Sequence, residues 1–293
     1  MIQKLSVTNN VIRKTETWEF FDTSRNMGYP YIHDSRTERG FIQKIEGLGP
    51  ISKNINLISD GTSDSHTIGS VTQDSRNILI YISLPPVSPN SVRDVLNSTL
   101  YPLFGIGDQV KLNFTLHEAE NTGIIWTILG IVESIDYEVF SDDMLFVVSI
   151  LCPDPMFRRL TNTILNWGSQ LSNTVTLTDG PIYPKEWRVQ GSTTITNLKF
   201  NISHTYYGSR PFTFTDSNNG YTNYLRDNSP TYINGEPGSR KFVQNNIAYP
   251  RFVDASSKWP VLYPGRNTLT ISRSSGTVSI NRLTYVDVRK GLY

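Results

Sequence analysis

Residues 144–160, MLFVVSILCPDPMFRRL, divide the chain in two. A run of eight residues, Met144 to Leu151, seven of them apolar and most of them β-formers, lies between Ser141-Asp142-Asp143 and Cys152-Pro153, the pattern of a buried strand. Pro153 and Pro155 each remove a backbone donor and bias the preceding residue to an extended conformation, so the hydrogen-bonded ladder must stop there. Cys152, the single cysteine of the sequence, reads as a small buried side chain at the strand end, because no second cysteine exists to pair with it. One domain closes at this point and another begins.

A chain of 293 residues has room for two domains, each with its own core. No apolar run approaches the ~18 residues that a membrane helix needs. The first residues lack the apolar centre of a signal peptide, and one cysteine builds no disulfide framework, so synthesis in a reducing cytoplasm is expected. The net charge of +1 conceals a split. Residues 1–159 hold 13 Lys and Arg against 19 Asp and Glu, a net of −6; the remainder holds 14 against 7, a net of +7. Opposite fields on the two halves can steer association with other copies or with a charged partner.

In the first half, the pieces around residues 17–21 are strand-like and the charged residues 34–40 read as a loop. A strand over residues 41–45 breaks at Gly47, Leu48, Gly49 and Pro50, where a turn is required. Residues 77–84 alternate as a strand. Asn90 or Ser91 can cap an amphipathic helix with Val92, Val95, Leu96 and Leu100 on one face, stopped by Pro102. Four strands follow, over residues 110–116, 124–132, 135–139 and 144–151, as an antiparallel meander on which the helix packs.

The order of these features resembles the distal tail proteins of long-tailed phages: the Gly-Leu-Gly-Pro turn, Arg76-Asn77-Ile78, the helix end Leu100-Tyr101-Pro102-Leu103, Val132-Glu133-Ser134-Ile135, and Cys152-Pro153-Asp154-Pro155 followed by Phe157. The resemblance spans residues 1–160. It implies an N-terminal domain that joins other copies, usually six, in a ring or belt around a channel. The ring would connect the tail tube protein to a tail-associated hub or lysin protein and to receptor-binding proteins, with DNA passing through as cargo and no membrane involved. Such a protein is a virion component of the tail tip or baseplate, made in the host cytoplasm.

Residues 161–174 read as a polar linker, and 175–293 as a C-terminal β-sandwich of short alternating strands with ten of the fifteen tyrosines. Residues 259–265 with the strand from Asn267 resemble the closing hairpin of galectin-like sandwiches. The fold class expected is therefore mainly β: an antiparallel β domain with one short α-helix, then a galectin-like sandwich.

The sequence offers little chemistry. It has no nucleophile elbow, and Gly105-Ile106-Gly107 lacks a third glycine and precedes a strand. Asp60, Asp64 and His66 are too few for a calcium loop, His117-Glu118 lacks a second histidine, and Glu118/Glu120 and Asp142/Asp143 suit solvation better than catalysis. The expectation is no enzyme, no cofactor and no metal. The alternative function is carbohydrate binding, with the tyrosines of the C-terminal half, Trp187 and Trp259 as sugar-stacking faces on host cell-wall polymers, although core and interface packing is the simpler account of these rings.

Overall fold

The structure, a computed structural model, describes residues 2–19, 31–34, 37–51, 53–59, 66–84, 96–118, 121–137, 144–193, 195–213, 215–216, 221–222, 230–244, 247–248 and 253–292. It forms two compact units, Met1–Leu160 with Lys290–Tyr293, and Thr161–Arg289. Among the described residues both are built from antiparallel strands, with one short helical segment in the first.

In the first unit, β1 (Ile2–Asn9), β2 (Lys14–Glu19), β3 (Tyr31–Asp34), β4 (Thr37–Glu46), β7 (Arg76–Leu84), β8 (Gln109–Glu118), β9 (Asn121–Tyr137), β10 (Met144–Cys152) and β11 (Phe157–Arg159) pair in the order β10-β7-β4-β3-β2-β1-β8-β9-β11. Because β9 also pairs with β10, the sheet closes on itself. Closure removes both edges and turns one face of every strand inward. Leu5, Val7, Ile78, Ile80, Ile82, Leu112, Phe114, Val148 and Ile150 fill the interior, all essentially without exposure. Between β4 and β7, β5 (Lys53–Ser59) and β6 (His66–Gln73) form a separate two-stranded ribbon.

Three sequence expectations change here. Thr37 to Gly40 are in β4 rather than a loop, since Thr37 pairs with Asp34 of β3. The helical residues are a π-turn, Leu96–Leu100, and a single α-turn, Tyr101–Leu103, so Pro102 lies within the helical segment; a proline is tolerated in a first turn, where its missing N–H has no partner to lose. The expected start of that helix lies outside the described residues. The strands expected over 124–132 and 135–139 are one strand, β9. Val132 pairs with Ile150 and Ser134 with Ser149, leaving Glu133 as a bulge, and the extra residue moves the inward face from even to odd positions, so Ile135 still packs on the core.

Among the described residues the second unit has two main sheets and a short ribbon of β17 (Thr215–Asp216) with β18 (Tyr221–Thr222). One orders β12 (Thr163–Asn166), β23 (Val278–Tyr285), β14 (Glu186–Gly191), β19 (Thr231–Asn234), β20 (Lys241–Gln244) and β21 (Ile247–Ala248). The other orders β13 (Ser172–Leu177), β22 (Gly265–Ser272), β15 (Lys199–His204) and β16 (Gly208–Phe212). Aromatic rings from the two meet in the core: Trp187 lies edge-on to Phe200 at 5.0 Å and Phe200 to Phe212 at 6.5 Å. The expected linker over 161–174 is instead β12 and the start of β13, one strand in each sheet. Its Asn and Ser residues read as spacers, but on exposed edge strands polar side chains are the ordinary outward face. The boundary at 293 also shifts, because Lys290–Tyr293 belong to the first unit.

Candidate functional site

Two constellations stand out, one in each unit. The first is centred on Arg76, which opens β7 with only 6% of its surface exposed. Its Nε donates to the Pro155 carbonyl at 2.9 Å, Nη1 donates to the carbonyls of Gly47 and, at 2.8 Å, Gly49, and Nη2 donates to that of Lys290. The guanidinium also lies 4.6 Å over the Phe157 ring. A planar fork with five donors can serve diverging carbonyls in this way, whereas an ammonium cannot. Gly47 lies at φ +81°, and a Cβ there would collide with the Asn77 carbonyl oxygen. The Gly-Leu-Gly-Pro turn, Arg76-Asn77 and Pro155 with Phe157, far apart in sequence, are thus fittings around one buried cation.

Cys152 pairs in register with Arg76 at the end of β10 and is buried. Burial pushes its thiol up to about 12, against a smaller opposing pull from the Arg76 charge. A thiol held protonated is a poor nucleophile and a poor metal ligand.

The second constellation is aromatic. Thr205, Tyr206 and Tyr207 form the turn between β15 and β16, with Tyr206 89% and Tyr207 58% exposed. His204, buried beneath them, accepts at Nδ1 from the backbone N–H groups of Tyr206 (3.2 Å) and Tyr207 (3.4 Å). Its Nε2, 2.8 Å from the Pro264 carbonyl, must then donate, which fixes the tautomer. The Tyr207 ring stacks on Tyr263 at 4.0 Å and 17°. Arg210 donates from Nη1 to the Tyr263 hydroxyl (2.9 Å) and from Nε to the Trp259 carbonyl (3.3 Å). Asn267, fully buried, accepts from the Tyr263 N–H at 2.9 Å and donates to its carbonyl at 2.7 Å. The exposed rings therefore rest on an ordered polar support.

The tryptophans expected to stack on sugars do not form this surface. Trp187 is 1% exposed, and its Nε1 donates to Asn281 Oδ1 at 3.0 Å, so it presents no face to a ligand. Trp259 is half-buried, 5.1 Å from Phe212. The two mark opposite ends of one ladder of core rings, because inward positions of facing strands collect the largest side chains. A sequence signal for the exposed platform did exist: two adjacent tyrosines, Tyr206-Tyr207, before Gly208, where a turn favours small polar residues.

Among the described residues no three His, Cys, Asp or Glu side chains are gathered as metal ligands would be. Asp60, Asp64, Glu120, Asp142 and Asp143 lie outside the described residues, as do the side chains of His66, His117 and Glu118. No described helix is long and apolar enough to cross a membrane.

The whole chain matches a solved structure, that of the SPP1 Dit protein (gp 19.1), presented as a paradigm of the hub adsorption apparatus in phages infecting Gram-positive bacteria. The match covers 97% of this chain and 99% of that one, with a TM-score of 0.64 and 12% identity. The fold is that of a phage distal tail protein. Chains of the phage P2 baseplate in its activated conformation, with Ca or with Sr, are similar at TM-scores of 0.40 and 0.38 and 9% identity, covering 100% and 99% of both chains. No family model and no curated protein matches the sequence. The distal tail fold thus persists here at an identity where few side chains are shared, as expected when closure of a barrel and a two-sheet core set the topology.

Proposed function

We propose that this protein is a hub component of a phage tail, assembling as a ring of six copies that joins the tail tube to the adsorption device. The single observation that carries the reading is the fold shared end to end, both units included, with the SPP1 hub protein. The convergence of three of the five recognised motifs on Arg76 supports it, since it makes those three parts of one structural joint rather than scattered short matches. In this reading the first units form the belt, and their net negative charge keeps passing DNA from adhering to the channel wall. The second units, galectin-like sandwiches, project to hold receptor-binding and other tail-tip proteins. The protein performs no reaction and needs no cofactor, and it resides in the virion after synthesis in the host cytoplasm.

Negative-stain microscopy of the purified chain, with its solution mass measured in parallel, tests the proposal. A six-fold ring with a central hole is expected. A chain that stays monomeric both alone and when mixed with the tail tube protein of the same phage would overturn it.

A further inference from the structure

We infer that the outward face of the four-stranded sheet, together with the Tyr206-Tyr207 turn at its end, is a binding site for a polysaccharide of pyranose units. The tyrosines supply the first half of the argument. Two large rings stand in solvent on a turn where nothing in folding requires them, and their support is unusually complete: His204 holds the turn's backbone, Tyr263 backs the Tyr207 ring, and Arg210 and Asn267 hold Tyr263. A ring fixed before a ligand arrives, as that of Tyr207 is, loses little conformational entropy on binding it, which is what a weak stacking contact needs to be useful.

The sheet face supplies the second half. Its inward positions are the core residues Phe200, Ile202, Leu269 and Ile271, so the alternate positions face out. Those include Asn201, Ser203, Ser209, Thr268, Thr270 and Thr174, arranged in cross-strand rows: Ser209 opposite Ser203, Ser203 opposite Thr268, and Thr268 opposite Thr174. Every one is short, neutral and able both to donate and to accept hydrogen bonds. The row of Ser203, Ser209 and Thr268 adjoins the end of the sheet where His204 pairs with Asn267 and the tyrosine turn begins.

A protein partner is the competing occupant, and the chemistry of the face weighs against it. The centre of a protein interface is enriched in apolar and aromatic side chains. Here the centre is hydroxyls and amides, and the rings are confined to one end. A pyranose chain has the complementary pattern, with C–H faces for the rings and many hydroxyls for the rows. Between Lys199 and Arg266, which lie at the two ends of the face, the outward positions are uncharged, and neutral sugars suit that centre.

Saturation-transfer NMR on the full chain tests this with cellohexaose, chitohexaose and maltohexaose in turn as probes. Transfer to at least one is expected. It should fall at least fivefold in Tyr206→Ala/Tyr207→Ala and in Thr268→Arg/Thr270→Arg, which fills the face with bulk and charge. Should the double tyrosine variant fail to fold, Tyr206→Ala decides alone, since that ring is almost wholly exposed and its loss opens no core. No transfer from any of the three sugars, transfer undiminished in the variants, or a tail protein docked on this face with no sugar signal would each overturn the proposal. The site is independent of the hub reading: Tyr206→Ala should leave ring formation unchanged, so a failure of assembly and a failure of sugar binding are read separately.

Discussion

Arg76 brings a positive charge into the interior of the first unit and satisfies it with backbone carbonyls from three distant segments. Hydrogen bonds from a charged donor are each worth about 1.5–3 kcal/mol, and removing the donor leaves the carbonyls desolvated and unpaired. Arg76→Ala should therefore destabilise the first unit by more than about 3 kcal/mol, read as a lowered midpoint in urea. Arg76→Lys should recover less than half of this, because a lysine cannot spread its donors over diverging acceptors. Cys152 makes a second prediction. With its thiol raised to about 12, only ~1 in 10⁴ molecules carries the thiolate near pH 8, so a disulfide-exchange reagent should label the native chain at the rate of local opening and the denatured chain at once. The folded form holds this proton more tightly than the unfolded form, so the contribution is fully present below about pH 9 and is lost as pH rises from there toward 12. A thiol that titrates near neutrality in the folded chain would contradict the burial.

At the scale of elements, Gly47 and Gly107 separate two effects that usually come together. Both have positive φ, +81° and +86°, but a Cβ at Gly107 meets nothing within 4 Å, whereas at Gly47 it strikes the Asn77 backbone. Gly107→Ala should cost about 1 kcal/mol of backbone strain. Gly47→Ala should cost about 2 kcal/mol more, since the clash is with main chain that Arg76 holds in place. Equal losses in thermal denaturation would mean that the turn moves freely. The turn itself was legible in the sequence, as were β7 and β8, whose alternation is unbroken, and β10, whose residues form a continuous run of β-formers. What escaped was wherever the pattern is local but the partner is not. The bulge at Glu133 reverses the phase of β9, so one strand reads as two. The edge strands β12 and β13 carry polar residues that read as a linker. Thr37 to Gly40 look like a loop until the pairing of Asp34 with Thr37 shows a hairpin. At the candidate site, the sequence marks tyrosines and tryptophans alike as stacking residues without separating core rings from exposed ones; size draws Trp187 into the core, and position in a turn leaves Tyr206-Tyr207 exposed.

For the whole molecule, the most informative feature is that the chain's last residues return to its first unit. Leu292 is buried to 6% exposure in the core of the barrel unit, its N–H donates to the Leu48 carbonyl at 2.9 Å, and Lys290 offers its carbonyl to Arg76. Sequence reading put these residues in the sandwich, because contiguity along a chain is the only grouping that periodicity can detect. The consequence is thermodynamic. A substitution near the end of the sequence should act on the stability of the first 160 residues, while the sandwich whose strands lie next to it in sequence should be indifferent. Leu292→Ala removes a buried side chain whose loss costs about 2–4 kcal/mol where the site cannot collapse, and here the packed Leu48 turn restricts collapse. Hydrogen exchange followed by mass spectrometry resolves the two units in one experiment. Peptides of β7 and β10 in the variant should lose protection by at least a factor of about 30, the equivalent of 2 kcal/mol, while peptides of β15 and β22 keep theirs. Loss of protection in the sandwich peptides alone would reassign the last residues to that unit, and equal loss in both would make the two units a single cooperative body.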